Sequence, residues 1–205
     1  MLLVMGRTAG LSSKALEGRY KTPDDIRDIH LVSKPRLGDK LMDFAVTDDP
    51  DGLTLISFDI PGGGARIYSK IKETAAWLLS PRMDNSTYLA PSHEAKQMLL
   101  SKIPTKANAV EYQVEPMNRQ YVEAALGETF IELTKYARKR LMGLINSRGQ
   151  ATSISVEALS TWTNAAKTAS REWRRRGFNV DNADRLIKLV EDMVEFKEER
   201  RGRAW

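Results

Sequence analysis

The feature that most constrains the fold is a seam of apolar residues, Leu159, Trp162, Ala166, Ala169 and Trp173, recurring at spacings of three and four. In an α-helix that spacing places them on one side, one above the other. Two indoles on one stripe demand a large apolar surface to cover them. Ser153 and Ser155 are candidate caps for its start, and Gly177 suits its end because glycine accepts the left-handed conformation of a C-terminal cap. The unbroken spacing predicts one continuous helix rather than a helix-turn-helix. A turn at Thr163-Asn164 would lack glycine, and it would put Thr163 and Ser170 where that motif wants apolar residues.

The seam has helical neighbours on both sides. Val122, Leu126, Phe130, Leu133, Ala137, Leu141 and Leu144 define one face of a preceding helix that Asn118 can cap, with a kink or split expected at Gly127. Leu186, Val190 and Met193 form the stripe of a last helix behind Asp181, its expected cap. Three amphipathic helices with short connections predict an antiparallel three-helix bundle.

The first half reads differently. Residues 6–23 have no sustained period and read as an irregular, mobile arm. Thr22-Pro23-Asp24-Asp25 has the chemistry of a helix start, and Lys34-Pro35 would stop that helix. Leu41–Val46 and Leu53–Ile60, separated by the Asp/Pro/Gly cluster of residues 47–52, read as a β-hairpin. Ile67, Ile71, Ala75 and Leu78 predict a helix over 66–79. Residues 81–92 read as a loop, Ser92 as the cap of a short helix to Ser101, and Val110–Val114 as an amphipathic strand closed by Pro116.

The fold expected is therefore α+β: a small N-terminal β-containing part, with a hairpin, short helices and a mobile arm, over residues 1–116, and a helical bundle over 117–205. Charge divides at nearly the same place. Residues 1–117 hold 15 Lys and Arg against 15 Asp and Glu, whereas 118–205 hold 17 against 12. The whole net charge of +5 thus falls in the helical half, and a one-sided basic surface favours an acidic partner.

Within that half the cations cluster. Lys135, Arg138, Lys139 and Arg140 lie in a stretch with no acid from Leu133 to Val156, and Lys167, Arg171, Arg174, Arg175 and Arg176 ride the seam helix to its end. Arginine binds phosphate in a bidentate fork, and several such contacts give salt-dependent affinity for a polyanion. A helix C-terminus attracts cations through its dipole, which accounts for one or two of these arginines but not four within six residues. At seam spacing Trp162 and Trp173 belong to a core rather than to base stacking, whereas Tyr20 and Trp205, in flanking segments, are freer to meet a partner.

Other chemistry has little footing. The chain has no cysteine, which removes disulfides and thiol catalysis. Its histidines, His30 and His93, have no metal-ligand spacing. Asp24, Asp25 and Asp28 sit at a helix start and Asp48, Asp49 and Asp51 in a turn, and those local roles explain both groups. Pro61-Gly62-Gly63-Gly64 between a strand and a helix has the outline of a phosphate cradle, but neither the P-loop nor the Gly-x-Gly-x-x-Gly pattern is met, so a plain connection is the expectation. No cofactor and no catalytic residue are expected, and an enzyme has no positive support.

The apolar run at the N-terminus is too short for a signal peptide or a span. The expectation is an intracellular or virion-interior, non-secreted protein that binds DNA or RNA through phosphate contacts and forms a homo-oligomer. It would be a packaging, replication or regulatory accessory factor of viral or mobile-element type. The alternative is a structural or matrix-like protein setting the same cations against an anionic membrane surface or a protein partner.

Overall fold

Leu53–Asp59 has apolar residues at both alternations and is buried at every position but the last, as befits a strand covered on both faces. The computed structural model describes residues 2–5, 20–21, 29–32, 44–62, 64–84, 86–146 and 153–202. Their strands are β1 (Leu2–Met5), β2 (Tyr20–Lys21), β3 (Ile29–Val32), β4 (Phe44–Val46), β5 (Leu53–Asp59), β6 (Arg82–Asp84), β7 (Thr87–Ala90) and β8 (Asn108–Pro116). Their helices are α1 (Ala65–Trp77), α2 (His93–Leu100), α3 (Arg119–Asn146), α4 (Ser153–Arg175) and α5 (Asp181–Gly202). The class is α+β, with strands first and the long helices last.

The strands join in one antiparallel sheet of order β2-β3-β1-β4-β8-β5-β7-β6. β5 lies inside it, between β8 and β7, and its alternate residues serve two cores. Leu53 and Leu55 join Phe44, Leu89 and Val114 in a cluster completed by α3, α4 and α5. Ile56 and Phe58 join Tyr88 in a second cluster with Ile71 and Ala75 of α1 and Ala95 and Leu99 of α2.

The expected hairpin does not form. β8 is inserted between β4 and β5, and Val114 faces Val46 on one side and Leu53 on the other. Residues 47–52 therefore cross from one edge of β8 to the other. The span is short because β5 begins at the level where β4 ends. Thr47 donates its N–H to the Gln113 carbonyl (2.9 Å), and Gly52 donates to the Asp49 carbonyl (3.0 Å). A Cβ at Gly52 would stand 2.9 Å from that carbonyl oxygen, so the crossing needs glycine there.

Three further expectations are corrected. Ile29–Val32 is a strand, not the end of a helix from Thr22, and it pairs with Leu2–Met5. Tyr20, assigned to the arm and to partner contact, is in β2, paired with Val32. Residues 81–92 are not a loop: Arg82–Asp84 and Thr87–Ala90 are strands, with β7 paired to β5. Four-residue strands flanked by turn residues carry too little period to be read. The rest of the arm, Asp24, Asp25, Asp28 and Trp205 lie outside the described residues.

The helices follow the expected faces. Ser92 caps α2 by accepting from the Ala95 N–H (3.1 Å), and Asn118 accepts from Tyr121 N–H (3.2 Å) at the start of α3. α3 runs through Gly127 without a break, so it is not split there. Gly127 is exposed, and no neighbour approaches it that would bend the helix. Asp181 is the first residue of α5 and not its cap, and with Asp184 it places acids in the first turn.

α4 is continuous through Thr163-Asn164, so no helix-turn-helix forms. Leu159, Ala166, Ala169 and Trp173 are buried, and Trp162 is half-buried against the same core. The three C-terminal helices pack on one another but have no core of their own. Their buried residues share the first cluster with β4, β5, β7 and β8, and α1 packs on both α3 and α4.

Both α1 and α4 end in the same motif. At the end of α4, Phe178 N–H donates to the Trp173 carbonyl (3.0 Å) and Gly177 N–H to Arg174 (2.8 Å), with Gly177 at φ 80°. The two rings meet edge to face at 5.0 Å. α1 closes in the same way through Ser80 and Leu79, but the left-handed position is held by Leu79 at φ 45°. The Leu79 carbonyl accepts the buried indole N–H of Trp173 at 2.7 Å.

Trp173→Phe removes that donor and leaves a gap. It is expected to cost about 2–4 kcal/mol in denaturant unfolding. Gly177→Ala puts a Cβ on a left-handed residue that already has the Arg119 guanidinium 3.3 Å away. Its expected cost is about 1–2 kcal/mol, and a midpoint equal to that of the parent protein would contradict the role assigned to the turn.

Candidate nucleic-acid interface

The nine cations singled out from the sequence fall into two patches. Arg119, at the start of α3, donates to the Gly177 carbonyl just past the end of α4 and lies 4.3 Å over the Phe178 ring. The start of α3 is thereby tied to the end of α4. Lys135 lies sixteen residues further along α3, about 24 Å at 1.5 Å per residue. The patch of Lys135, Arg138, Lys139 and Arg140 is thus well separated from that of Arg171, Arg174, Arg175 and Arg176.

In the first patch Arg138 and Lys139 are exposed. Arg140 sets Nε and Nη2 on one carboxylate oxygen of Glu73 in α1, at 3.0 and 2.7 Å. Lys135 reaches Glu132 at 2.8 Å, and Glu132 also holds Lys72 of α1 at 3.2 Å. The hydrogen bond from Lys135, then the nearby Lys72, hold the Glu132 carboxyl below its ordinary value against the opposing effect of burial. Lys72 extends this patch onto α1. No local pattern signals it, because its link to Lys135 runs through an acid on another helix.

The second patch is less uniform than the sequence implies. Arg171 is exposed. Arg175 pairs with Glu172 one turn back, at 3.0 Å. Arg174 crosses to α5, where it pairs with Asp184 and stands 3.7 Å from Asp181. Lys167 pairs with Glu191, also on α5. Arg176 does not point outward with the others. Its Nη2 donates to the backbone carbonyl of Asp51, in the crossing between β4 and β5, and to that of Pro91 at 3.4 Å. Its Nε is buried without a protein partner. Burial, and then the adjacent Arg175, push Arg176 below the ordinary guanidinium value, with Glu172, Asp49 and Asp51 acting the other way.

The sequence did hold a signal for this: three residues past Trp173, Arg176 occupies the next position of the seam itself. Arg176 is therefore a strut, and Lys167 is partly one. The pairs of Lys135, Arg140, Arg174 and Arg175 leave those four cations half-exposed or more. Exposed ion pairs contribute only about 0–1 kcal/mol, so these four cations are weakly held. Together with Arg138, Lys139 and Arg171 they form the accessible basic surface.

The aspartates of residues 48–51 do the local work expected of them: Asp49 accepts from the Asp51 N–H at 3.0 Å. Among the described residues no group of three or more histidines and acids could hold a metal ion, and no helix is long and apolar enough to cross a membrane. The chain matches no known protein family, no curated protein and no solved structure.

Arg176→Ala is expected to cost about 2–3 kcal/mol, because it strips donors from the two carbonyls it holds. Arg175→Ala should cost less than about 1 kcal/mol. Equal effects of the two in thermal or denaturant melts would remove the distinction between strut and surface cation. Glu132 carries a second expectation. Its carboxyl pKa is depressed on folding, so its contribution is present above 4.5 and is lost as the pH falls through its lower folded value. Glu132→Gln should therefore be less stable than the parent at pH 7, with the difference closing in strong acid.

Proposed function

We propose that this protein binds nucleic acid without catalysis, through phosphate contacts made by its basic helical half. The observation that carries the reading is that the net charge of +5 resides in residues 118–205. Arg138, Lys139 and Arg171 are exposed, and Lys135, Arg140, Arg174 and Arg175 stay half-exposed or more in their ion pairs. A surface of this kind gains affinity by releasing condensed counterions and reads no base sequence. The half-buried Trp162 and buried Trp173 belong to the core, which favours backbone contact over stacking.

The distance between the patches bears on the partner. A ligand reaching from the end of α4, beside Arg119, to Lys135 extends about 24 Å, roughly seven base pairs at the 3.4 Å rise of a duplex strand. This favours a linear polymer over a compact anion. A packaging, replication or accessory role in a virus or mobile element, with self-association, is the biological setting proposed for such a surface. The alternative occupant, an anionic membrane or a protein partner, uses the same cations.

The test is binding of single- and double-stranded DNA and RNA at two salt concentrations. The parent protein should bind at low salt and weaken steeply as salt rises. Arg138→Ala/Lys139→Ala/Arg171→Ala should keep the melting temperature and weaken binding by about tenfold or more. It should also lower the salt slope by about 0.9 for each duplex phosphate that the variant no longer neutralises. Absence of binding at low salt would overturn the proposal, and binding to anionic vesicles alone would replace it with the alternative.

A further inference from the structure

A second site lies away from the α4 cations, where α1, the β6–β7 pair and α3 enclose a cleft. Its larger compartment has a volume of about 590 Å³. Two cations, Lys72 and Arg82, and three phenols, Tyr68, Tyr88 and Tyr136, line it, with the hydroxyls of Ser69 and Ser86. Among the described side chains no carboxylate lines this compartment. Its lining thus carries two cations and many hydrogen-bond donors, with Lys72 also held by Glu132 at 3.2 Å. The Tyr88 hydroxyl lies within electrostatic reach of Arg82, Tyr136 and Tyr68, so these polar groups converge rather than scatter.

Two more observations concern the walls. Ala65, the first residue of α1, is part of the lining, and the Gly64 cap of that helix supplies no side-chain acceptor to its first N–H groups. The first turn of α1 also carries no acid. The positive end of the helix therefore adds to Lys72 and Arg82. Beside this compartment is a smaller one of about 270 Å³, which shares Lys72, Arg82 and Tyr88 with it. Ser80 lines the smaller space together with Glu128 and Glu132, so a phosphate belongs to the larger one. Ser80 is 1% exposed, and its hydroxyl has no protein partner. A buried hydroxyl left unpaired costs free energy that a ligand atom or water in this cleft would recover.

The aromatic groups set the rest of the ligand. Tyr68 and Tyr88 both stack on one ring, Phe58, with centroids at 6.2 and 6.1 Å. Both are thereby fixed in position; Tyr88 is buried, and the half-buried Tyr68 and Tyr136 are the rings that offer aromatic surface to a planar group. We infer that this cleft binds a phosphate monoester carrying a planar ring, its phosphate between Lys72, Arg82 and the start of α1 and its ring against the tyrosines. A free mononucleotide and the 5′-phosphorylated end of a nucleic-acid chain share that chemistry. The inference uses none of the nine helical cations and stands if they prove not to bind nucleic acid.

The test is calorimetric titration of the full chain with AMP, adenosine and a short 5′-phosphorylated oligonucleotide. At least one of the two phosphorylated probes should bind at one site per chain, and adenosine should bind at least about tenfold more weakly. Lys72→Gln/Arg82→Gln should lose about tenfold or more in affinity for that probe. Tyr136→Phe, which keeps the ring and its packing, should lose several-fold and carries the test if the double variant fails to fold. Arg138→Ala/Lys139→Ala/Arg171→Ala should bind AMP as the parent does. Tighter binding of AMP assigns the cleft to a free nucleotide, and tighter binding of the oligonucleotide assigns it to a chain end. No saturable binding of either phosphorylated probe, equal binding of adenosine, or full binding by the folded cleft variants would overturn the inference.

Discussion

The structure depends on one buried hydrogen bond, from the indole of Trp173 to the carbonyl of Leu79. Trp173 is fully buried, and an indole N–H there without an acceptor would cost a large part of what burying the ring gains. The acceptor exists only because Leu79 takes the left-handed conformation at the end of α1. For a residue with a Cβ that conformation costs about 1–2 kcal/mol. Glycine would avoid the strain, but it would also forfeit a leucine buried in the first core cluster. The same tryptophan accepts from Phe178 through its carbonyl and meets the Phe178 ring edge-on, and Arg119 covers that ring. The end of α1, the end of α4 and the start of α3 are therefore positioned together.

This convergence explains why so much of the helical half was legible in the sequence. Faces follow from spacing alone, and the seam from Leu159 to Trp173 placed its core side correctly because every member obeys one period. Gly177 marked the stop because its backbone freedom suits that turn. The sheet was less legible. The Asp/Pro/Gly chemistry of residues 47–52 specifies where the chain bends, and it serves a hairpin and a crossing over β8 equally well. Which edge the next strand joins depends on β8, some fifty residues later, and no local signal encodes it. β5 did announce its place inside the sheet through apolar residues at both alternations.

The cations were legible in identity and not in occupation. Period tells that Arg174 leaves the apolar face, but not that Asp184, across the turn at Gly177, waits for it. Only a packed α4–α5 pair sets that distance. Arg176 shows the converse. Its position continues the seam, so its inward course was available from spacing, and the charge drew attention away from the geometry. A long amphipathic side chain resolves the conflict by burying its stem while its head finds backbone carbonyls.

The same division governs what each basic patch can do. A cation that ties two loops together, as Arg176 ties residues 51 and 91, gains from the fold and has little left for a ligand. A cation in an exposed pair gains at most about 1 kcal/mol from it, while a charge-assisted bond to phosphate with counterion release gives comparable or larger returns. Binding of a polyanion would therefore re-pair Lys135, Arg140, Arg174 and Arg175 without disturbing the core. Two of the acids so released, Glu73 and Glu132, stand where α1 packs on α3, beside the cleft. Phosphate bound along α3 would leave Glu132 with Lys72 alone, strengthen that pair, and draw Lys72 from the cleft. Were both proposed surfaces to bind phosphate, the shared Lys72 would couple them, with occupation of either weakening the cationic character of the other.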